Sequence, residues 1–294
     1  MIVKYNEPLY KHSTFRIGGE AKVAYFPESA DELVSILGKL DSDGERYIVI
    51  GNGSNMLFDD LGFDGAVVFT KNVSAVKYTY SGDSVFIEAE CGKMLTELSR
   101  EAGKTHSLTG LEFAYGIPAT VGGAVFMNAG AYGGQMSDIV VSTKAYDKES
   151  RTVITVEGDA HHFAYRHSAF EENRNLTVLS TTMKLKFGDA MAISEKMDAN
   201  MQSRRDKQPL EYPSAGSTFK RPVGYFAAKL IDDCALKGTR VGGAEVSEKH
   251  AGFVVNKGGA TSADVLELMA LVSGRVFDTF DVKIEPEIIY VPYK

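Results

Sequence analysis

Residues 110–134 read GLEFAYGIPATVGGAVFMNAGAYGG, and this run limits what the rest of the chain can be. It holds seven glycines (Gly110, Gly116, Gly122, Gly123, Gly130, Gly133, Gly134), where average usage of about 7% gives roughly two. No charged side chain occurs from Phe113 to Ser137, yet Pro118, Thr120, Asn128 and Gln135 interrupt the apolar residues. A membrane span needs about 20 mostly apolar residues, so the run does not qualify as one. What remains is neutral and poor in side chains. Glycine lets main-chain N–H groups approach a ligand closely, and successive N–H groups can hold an anion without a cation beside them. Two readings stand: a tightly packed helix-turn segment in which glycine only permits contact, or a wall for a large, flat, partly anionic ligand. Seven glycines in one uncharged stretch favour the ligand.

The 294 residues are enough for two or three domains. A net charge of −7, from 32 basic and 39 acidic side chains, argues against a nucleic-acid partner, which calls for a basic surface. Cys91 and Cys234 are too few for a disulfide framework and form no C-x-x-C pair, which suggests a reducing setting. The opening MIVKYNEPLY lacks the apolar run of a signal peptide. The expectation is a cytoplasmic chain with no membrane or nucleic-acid partner. None of the six histidines forms an H-x-x-x-H pair, so no metal site is expected either.

The sequence pattern mixes strands and helices without a regular βαβ repeat, an α+β signature. Ser29 and Glu32 form an S-x-x-E capping box before a helix reaching Leu40. The strand Tyr47–Ile50 runs into Gly51, Asn52, Gly53, Ser54 and Asn55, but Met56 follows and no helix pattern does, so the dinucleotide fingerprint is not met. Further strands are expected at 66–69, Ser84–Glu90, 139–146, 152–156 and Leu176–Phe187, with a helix near 93–102. A helix over 190–206 follows, then a loop over 210–222, a helix at 225–234, and strands at 241–246 and 252–256. Val265, Leu268, Met269, Val272 and Val276 recur at helical spacing after Thr261, and a closing strand is expected over 282–290. Domain boundaries are placed to give 1–72, 73–188 and 189–294.

Three residues carry potential chemistry. Ser217 lies beside Gly216 with Lys220 and Arg221 close by, and a serine can donate a proton only where cations stabilise the alkoxide left behind. A serine in such a loop is more often a turn former. Arg166 is by default a surface residue. Glu287, among Ile284, Ile288 and Ile289, has surroundings that favour its neutral form, unless it is an edge-strand charge facing water.

HSTFRIGG, GNGSN, GIPATVGGAVFMNAGAYG, YRHS, AGSTFK, GGAEVSEKHAGFVVN and EPE occur in this order across nearly the whole chain. Together they resemble the UDP-N-acetylenolpyruvoylglucosamine reductase family of bacterial peptidoglycan precursor synthesis. The resemblance implies a two-part FAD-binding region of the vanillyl-alcohol-oxidase (PCMH) type followed by an α+β substrate-binding domain. It implies non-covalent FAD on Arg16, on the loop Gly51, Asn52, Gly53, Ser54 and Asn55, and along Gly116, Ile117, Pro118, Thr120, Gly122, Gly123, Ala124 and Asn128. NADPH is the implied reductant and UDP-N-acetylglucosamine enolpyruvate the substrate, with Lys207, Lys220 and Asn256 contacting it. Ser217 is then the proton donor and Arg166 and Glu287 its catalytic partners. The short connection between Arg166 and Asp189 resembles the subtype without the extra tyrosine-bearing loop. Two alternatives predict different behaviour: a flavin oxidase of the wider superfamily reoxidises with oxygen alone, and a regulatory nucleotide-binding protein takes up UDP-sugar without flavin.

Overall fold

The computed structural model describes residues 1–294, and its chain divides into two compact units. The first comprises Met1–Lys4, Ala24–Asn52 and Ala66–Ser203; the second comprises Tyr5–Val23, Gly53–Gly65 and Arg204–Lys294. No helix is long and apolar enough to cross a membrane.

A four-stranded sheet runs in the order Ile2–Pro8, Glu20–Phe26, Phe63–Phe69, Tyr47–Ile50. Its last two strands are parallel, Tyr47 opposite Ala66 and Ile50 opposite Phe69. Parallel neighbours need a crossover, and residues 51–62 form it; the helix Ala30–Ser42 leads instead from Glu20–Phe26 into Tyr47–Ile50, burying Leu33, Ile36, Leu37 and Leu40 at i, i+3, i+4 and i+7. The Ser29 side chain accepts from the Glu32 N–H at 3.2 Å, as a cap should. The return arm differs from the sequence expectation: the Glu32 carboxylate takes the N–H of Glu28 at 2.9 Å, and also the chain's amino terminus at 2.9 Å. At the other end of this helix, Asp41 accepts from Tyr47 at 2.9 Å and from Tyr146 at 2.8 Å. Burial, then the Asp41 bond, pushes the Tyr146 phenol up to about 12.

The second sheet is antiparallel, ordered Thr152–Glu157, Val140–Asp147, Leu176–Phe187, Ser84–Glu90, Val76–Ser81, with Leu108–Thr109 added beside Leu176–Phe187. In Ser84–Glu90 the residues Val85, Ile87 and Ala89 are fully buried and alternate with half-exposed ones, the period of a strand with one face on the core. The edge strand Val76–Ser81 is not among the strands expected from sequence, although Val76, Tyr78 and Tyr80 alternate with Lys77, Thr79 and Ser81; most of its residues stay exposed. The helix Ala190–Lys207 packs Met197 over Gly103, where a Cβ would stand 2.7 Å from the Met197 sulfur.

In the second unit the apolar stripe of Ser262–Phe280 is core: Val265, Leu268, Val272 and Val276 are fully buried. They share one cluster with Phe15, Ile17, Leu57, Phe219, Leu230 and Ile288. Two sequence expectations change here. The stretch 241–246 is a hairpin, Arg240–Val241 with Ala244–Val246, turned at Gly242 (φ +51), where the Asp264 carboxylate accepts from the Gly243 N–H at 3.1 Å. The closing strand shrinks to Ile289–Val291, parallel to Met56–Phe58, because Asp281 ends the helix in a left-handed conformation (φ 56) and Pro286 lacks an N–H for a ladder.

The long helix is capped twice. Thr261 and Asp264 form a capping box, and Asp60 accepts from the Ser262 N–H at 2.8 Å and its hydroxyl at 2.8 Å. A carboxylate with several donors at a helix N-terminus is stabilising through both the bonds and the dipole. Asp60→Ala is expected to lower stability by about 1–2 kcal/mol, read as a lower urea midpoint at unchanged slope.

Candidate functional site

The glycine-rich run in the first unit is held from behind. The N–H groups of Val121 and Gly122 donate to the Lys93 and Cys91 carbonyls at 2.8 Å each. Thr120 caps the short helix Val121–Phe126, its hydroxyl accepting from Gly123 at 3.4 Å and its carbonyl from Ala124 at 2.8 Å. Packing accounts for several glycines: a Cβ on Gly122 would meet Cys91 at 2.9 Å, and one on Gly134 would meet Phe113 at 2.8 Å. It does not account for Gly123, exposed and with only the Thr120 hydroxyl 3.6 Å away, or for Gly133, which faces nothing within 4 Å. Gly116 has φ +89, a left-handed conformation suited to glycine, and its N–H donates to Thr96 at 2.9 Å. Pro118 is exposed, and Ile117 is half-buried.

The loop 51–55 has a different character. Gly51 lies against the run, since a Cβ there would stand 2.2 Å from the Thr120 hydroxyl. Asn52 donates to the Pro118 carbonyl at 2.6 Å. Gly53 has φ +61, and a Cβ on it would meet the His12 carbonyl at 2.2 Å. The N–H groups of Gly51, Asn52, Gly53, Ser54 and Asn55 make no hydrogen bond to the protein. Consecutive unused donors suit an anion such as a pyrophosphate, and the neutral surface at Ile117, Pro118 and Gly123 suits an uncharged ring. The residues present therefore fit FAD.

Asn128 is nearly fully buried, and both ends of its amide are engaged by protein: it donates to the Ala164 carbonyl at 2.9 Å and accepts from Ser137 at 2.9 Å. That bond docks the turn bearing Arg166. Ala164 and His167 form an isolated bridge, and Arg166 between them has φ +54, which costs a residue with a side chain about 1–2 kcal/mol. Ser168 donates to the Phe126 carbonyl at 2.7 Å, and Arg166 reaches the Gly130 carbonyl at 3.5 Å. Arg166 also lies over the Tyr165 ring at 5.3 Å. Just before the turn, buried His161 bonds Thr143 at 3.0 Å, and burial lowers its pKa.

In the second unit Ser217 and Glu287 lie on adjacent strands of chain. The bridge Phe219–Pro286, the Lys220 N–H on the Glu285 carbonyl at 2.8 Å and the Glu287 N–H on the Thr218 carbonyl at 2.8 Å bring them together. Thr218 is the anchor: fully buried, it also donates its N–H to Gly252 at 2.8 Å and accepts from the Val254 N–H at 2.9 Å. Asn55 donates to the Glu287 carbonyl at 2.9 Å. Ser217 itself is half-exposed beside Gly216, whose φ of +77 suits glycine. Arg16 (φ 55) and Lys207 are exposed and Lys220 is half-buried. Asn256 donates to the Phe15 carbonyl at 3.2 Å and accepts from Gly258 and Ala260 at 2.9 and 3.2 Å, so one amide hydrogen is unengaged. Ser168 and Thr218, which fix the turn bearing Arg166 and the loop bearing Ser217, were not singled out in the sequence; the one available signal was a hydroxyl residue within two positions of Arg166 and next to Ser217.

Comparison with known proteins agrees with this layout. Residues 21–157 match the family described as FAD binding domain, and residues 208–291 match the UDP-N-acetylenolpyruvoylglucosamine reductase, C-terminal domain. The UDP-N-acetylenolpyruvoylglucosamine reductase of Caldicellulosiruptor bescii is 45% identical over 288 residues, covering 97% of this chain and 90% of that protein. The protein of the same name from Lactococcus lactis subsp. cremoris is 42% identical, covering 98% of this chain and 94% of its own. A crystal structure of UDP-N-acetylenolpyruvylglucosamine reductase from Thermus caldophilus aligns with a TM-score of 0.80 at 32% identity, covering 99% of this chain and 98% of that one. With a PCMH-type FAD-binding region preceding that C-terminal domain and such identity along nearly its full length, the chain belongs to the UDP-N-acetylenolpyruvoylglucosamine reductase family.

Proposed function

We propose that this protein is a cytoplasmic, NADPH-dependent reductase that converts UDP-N-acetylglucosamine enolpyruvate to UDP-N-acetylmuramate in peptidoglycan precursor synthesis. The observation that carries the reading is the loop 51–55, whose unused N–H groups adjoin an uncharged surface within the segment matching an FAD binding domain. FAD bound there, non-covalently, supplies the two-electron reducing power and NADPH renews it.

The protein's residues handle the charge. Addition of hydrogen with its electron pair to the terminal carbon of the enol ether leaves negative charge on the neighbouring carbon and its carboxylate. A fixed cation and hydrogen-bond donors aimed there lower the barrier most. Arg166 is the cation, held in its turn by Asn128 and Ser168. Ser217 donates the proton to the carbon that carries the charge, and Glu287 in its acid form donates a hydrogen bond to the carboxylate. Lys207, Lys220 and the unengaged amide hydrogen of Asn256 contact the diphosphate and sugar. We also assign the chain to the subtype without the tyrosine-bearing loop, since only three residues separate the helix Ala169–Glu172 from the strand Leu176–Phe187. A substrate complex in which a tyrosine from this region covered the substrate would refute that assignment.

Purified protein is expected to be yellow, to lose its visible absorbance with NADPH under nitrogen, and to regain it on adding the enolpyruvyl sugar nucleotide. Protein that takes up no FAD overturns the proposal.

A further inference from the structure

Arg166 is gripped from the wall side by Asn128 and Ser168, but the other side of its turn is closed by a charged cluster that this account of the reaction does not use. His167 Nδ1 faces the Glu171 carboxylate at 3.1 Å and Nε2 faces the Glu172 carboxylate at 2.7 Å. A neutral imidazole has one donor and one lone pair, so either tautomer would turn a lone pair toward a carboxylate. Only the imidazolium satisfies both contacts. The same carboxylates are shared: His162 Nδ1 meets Glu172 at 2.8 Å and Arg174 donates to Glu171 at 3.2 Å. The backbone completes the strut, with the His167 N–H on the Ala164 carbonyl at 3.2 Å and the reverse bond, also at 3.2 Å, closing the turn around Arg166.

We propose that His167, as an imidazolium bridging Glu171 and Glu172, is a positioning residue that holds the 164–167 turn and with it the Arg166 guanidinium. The inference rests on the assignment of Arg166 to the substrate carboxylate. The bond to Glu172, ahead of the one to Glu171, raises the His167 pKa above the usual 6.5 even though partial burial opposes it. The sign follows: the strut is intact below the ordinary histidine pKa and is lost as pH rises through the raised value. The groups facing His167 are Glu171 and Glu172, with His162 and Arg174 on their far oxygens and Arg166 next in the chain.

The test compares wild type with His167→Gln across pH, reading kcat/KM for the enolpyruvyl substrate and, separately, the rate of flavin reduction by NADPH. The ratio of wild-type to variant kcat/KM is expected to be about tenfold near pH 6 and to approach one by about pH 9. Flavin reduction is expected to be equal in the two at every pH. His167→Lys, which keeps a cationic donor throughout, is expected to recover much of the loss and to flatten the profile. Glu172→Gln gives the same reading from the other partner if His167→Gln does not fold. A ratio that is constant with pH, or equal to one throughout, overturns the proposal while Arg166→Met remains impaired. Arg166→Met with unimpaired turnover instead removes the assignment of Arg166 on which the proposal stands.

Discussion

Replacing Ser217 with alanine is expected to leave flavin reduction by NADPH at the wild-type rate and to slow reoxidation by the enolpyruvyl substrate about 10²–10⁴-fold, the usual worth of a positioned proton donor. The variant removes one oxygen and no anchor, because Thr218 makes the bonds that fix this loop: its carbonyl accepts from Glu287, its N–H donates to Gly252, and its hydroxyl takes the Val254 N–H. Stopped-flow absorbance separates the two half-reactions. Equal slowing of both would remove Ser217 from the proton-donor role and would point to altered FAD binding instead. The companion variant Thr218→Val is the control, since it disturbs the loop and leaves the Ser217 hydroxyl in place.

The second large effect concerns FAD. Gly51→Ala brings a methyl group 2.2 Å from the Thr120 hydroxyl oxygen and 3.2 Å from its Cβ. Something must shift, and both neighbours belong to the surface assigned to FAD. Overpacking of this kind costs about 1–3 kcal/mol, so retention of FAD is expected to weaken by about 10–100-fold, measured as flavin fluorescence released on dilution. Thr120→Ala combined with Gly51→Ala removes the close oxygen and is expected to recover part of the loss, at the expense of the cap on Gly123. Gly51→Ala protein that stays fully yellow would show that this contact does not shape the FAD surface.

Much of the scaffold was legible in the sequence because its signals are local. Leu176–Phe187 reads as a strand from its own residues, and Val265, Leu268, Met269, Val272 and Val276 mark a core helix by spacing alone. The misread segments are those whose conformation is set from elsewhere. Gly242 turns a hairpin because a carboxylate 22 positions later meets the next N–H, and around Pro286 the pairing stops at a single bridge to Phe219, flanked by the Lys220–Glu285 and Glu287–Thr218 bonds. The site divides in the same way. The glycine run and Gly51–Asn55 announce themselves by composition, whereas the left-handed turn of Arg166 is docked through Ala164 by the Asn128 amide, 36 residues before Ala164. No window of sequence contains both.

The second unit is stitched from Tyr5–Val23, Gly53–Gly65 and Arg204–Lys294. Phe15, Ile17 and Leu57 therefore emerge from the ribosome long before Val265, Leu268 and Ile288, the residues that will cover them. At about 5–20 residues per second the wait is on the order of tens of seconds. Throughout that interval the nascent chain carries apolar side chains with no mate, a natural client for a chaperone, and release before its final stretch is made would strand them in water.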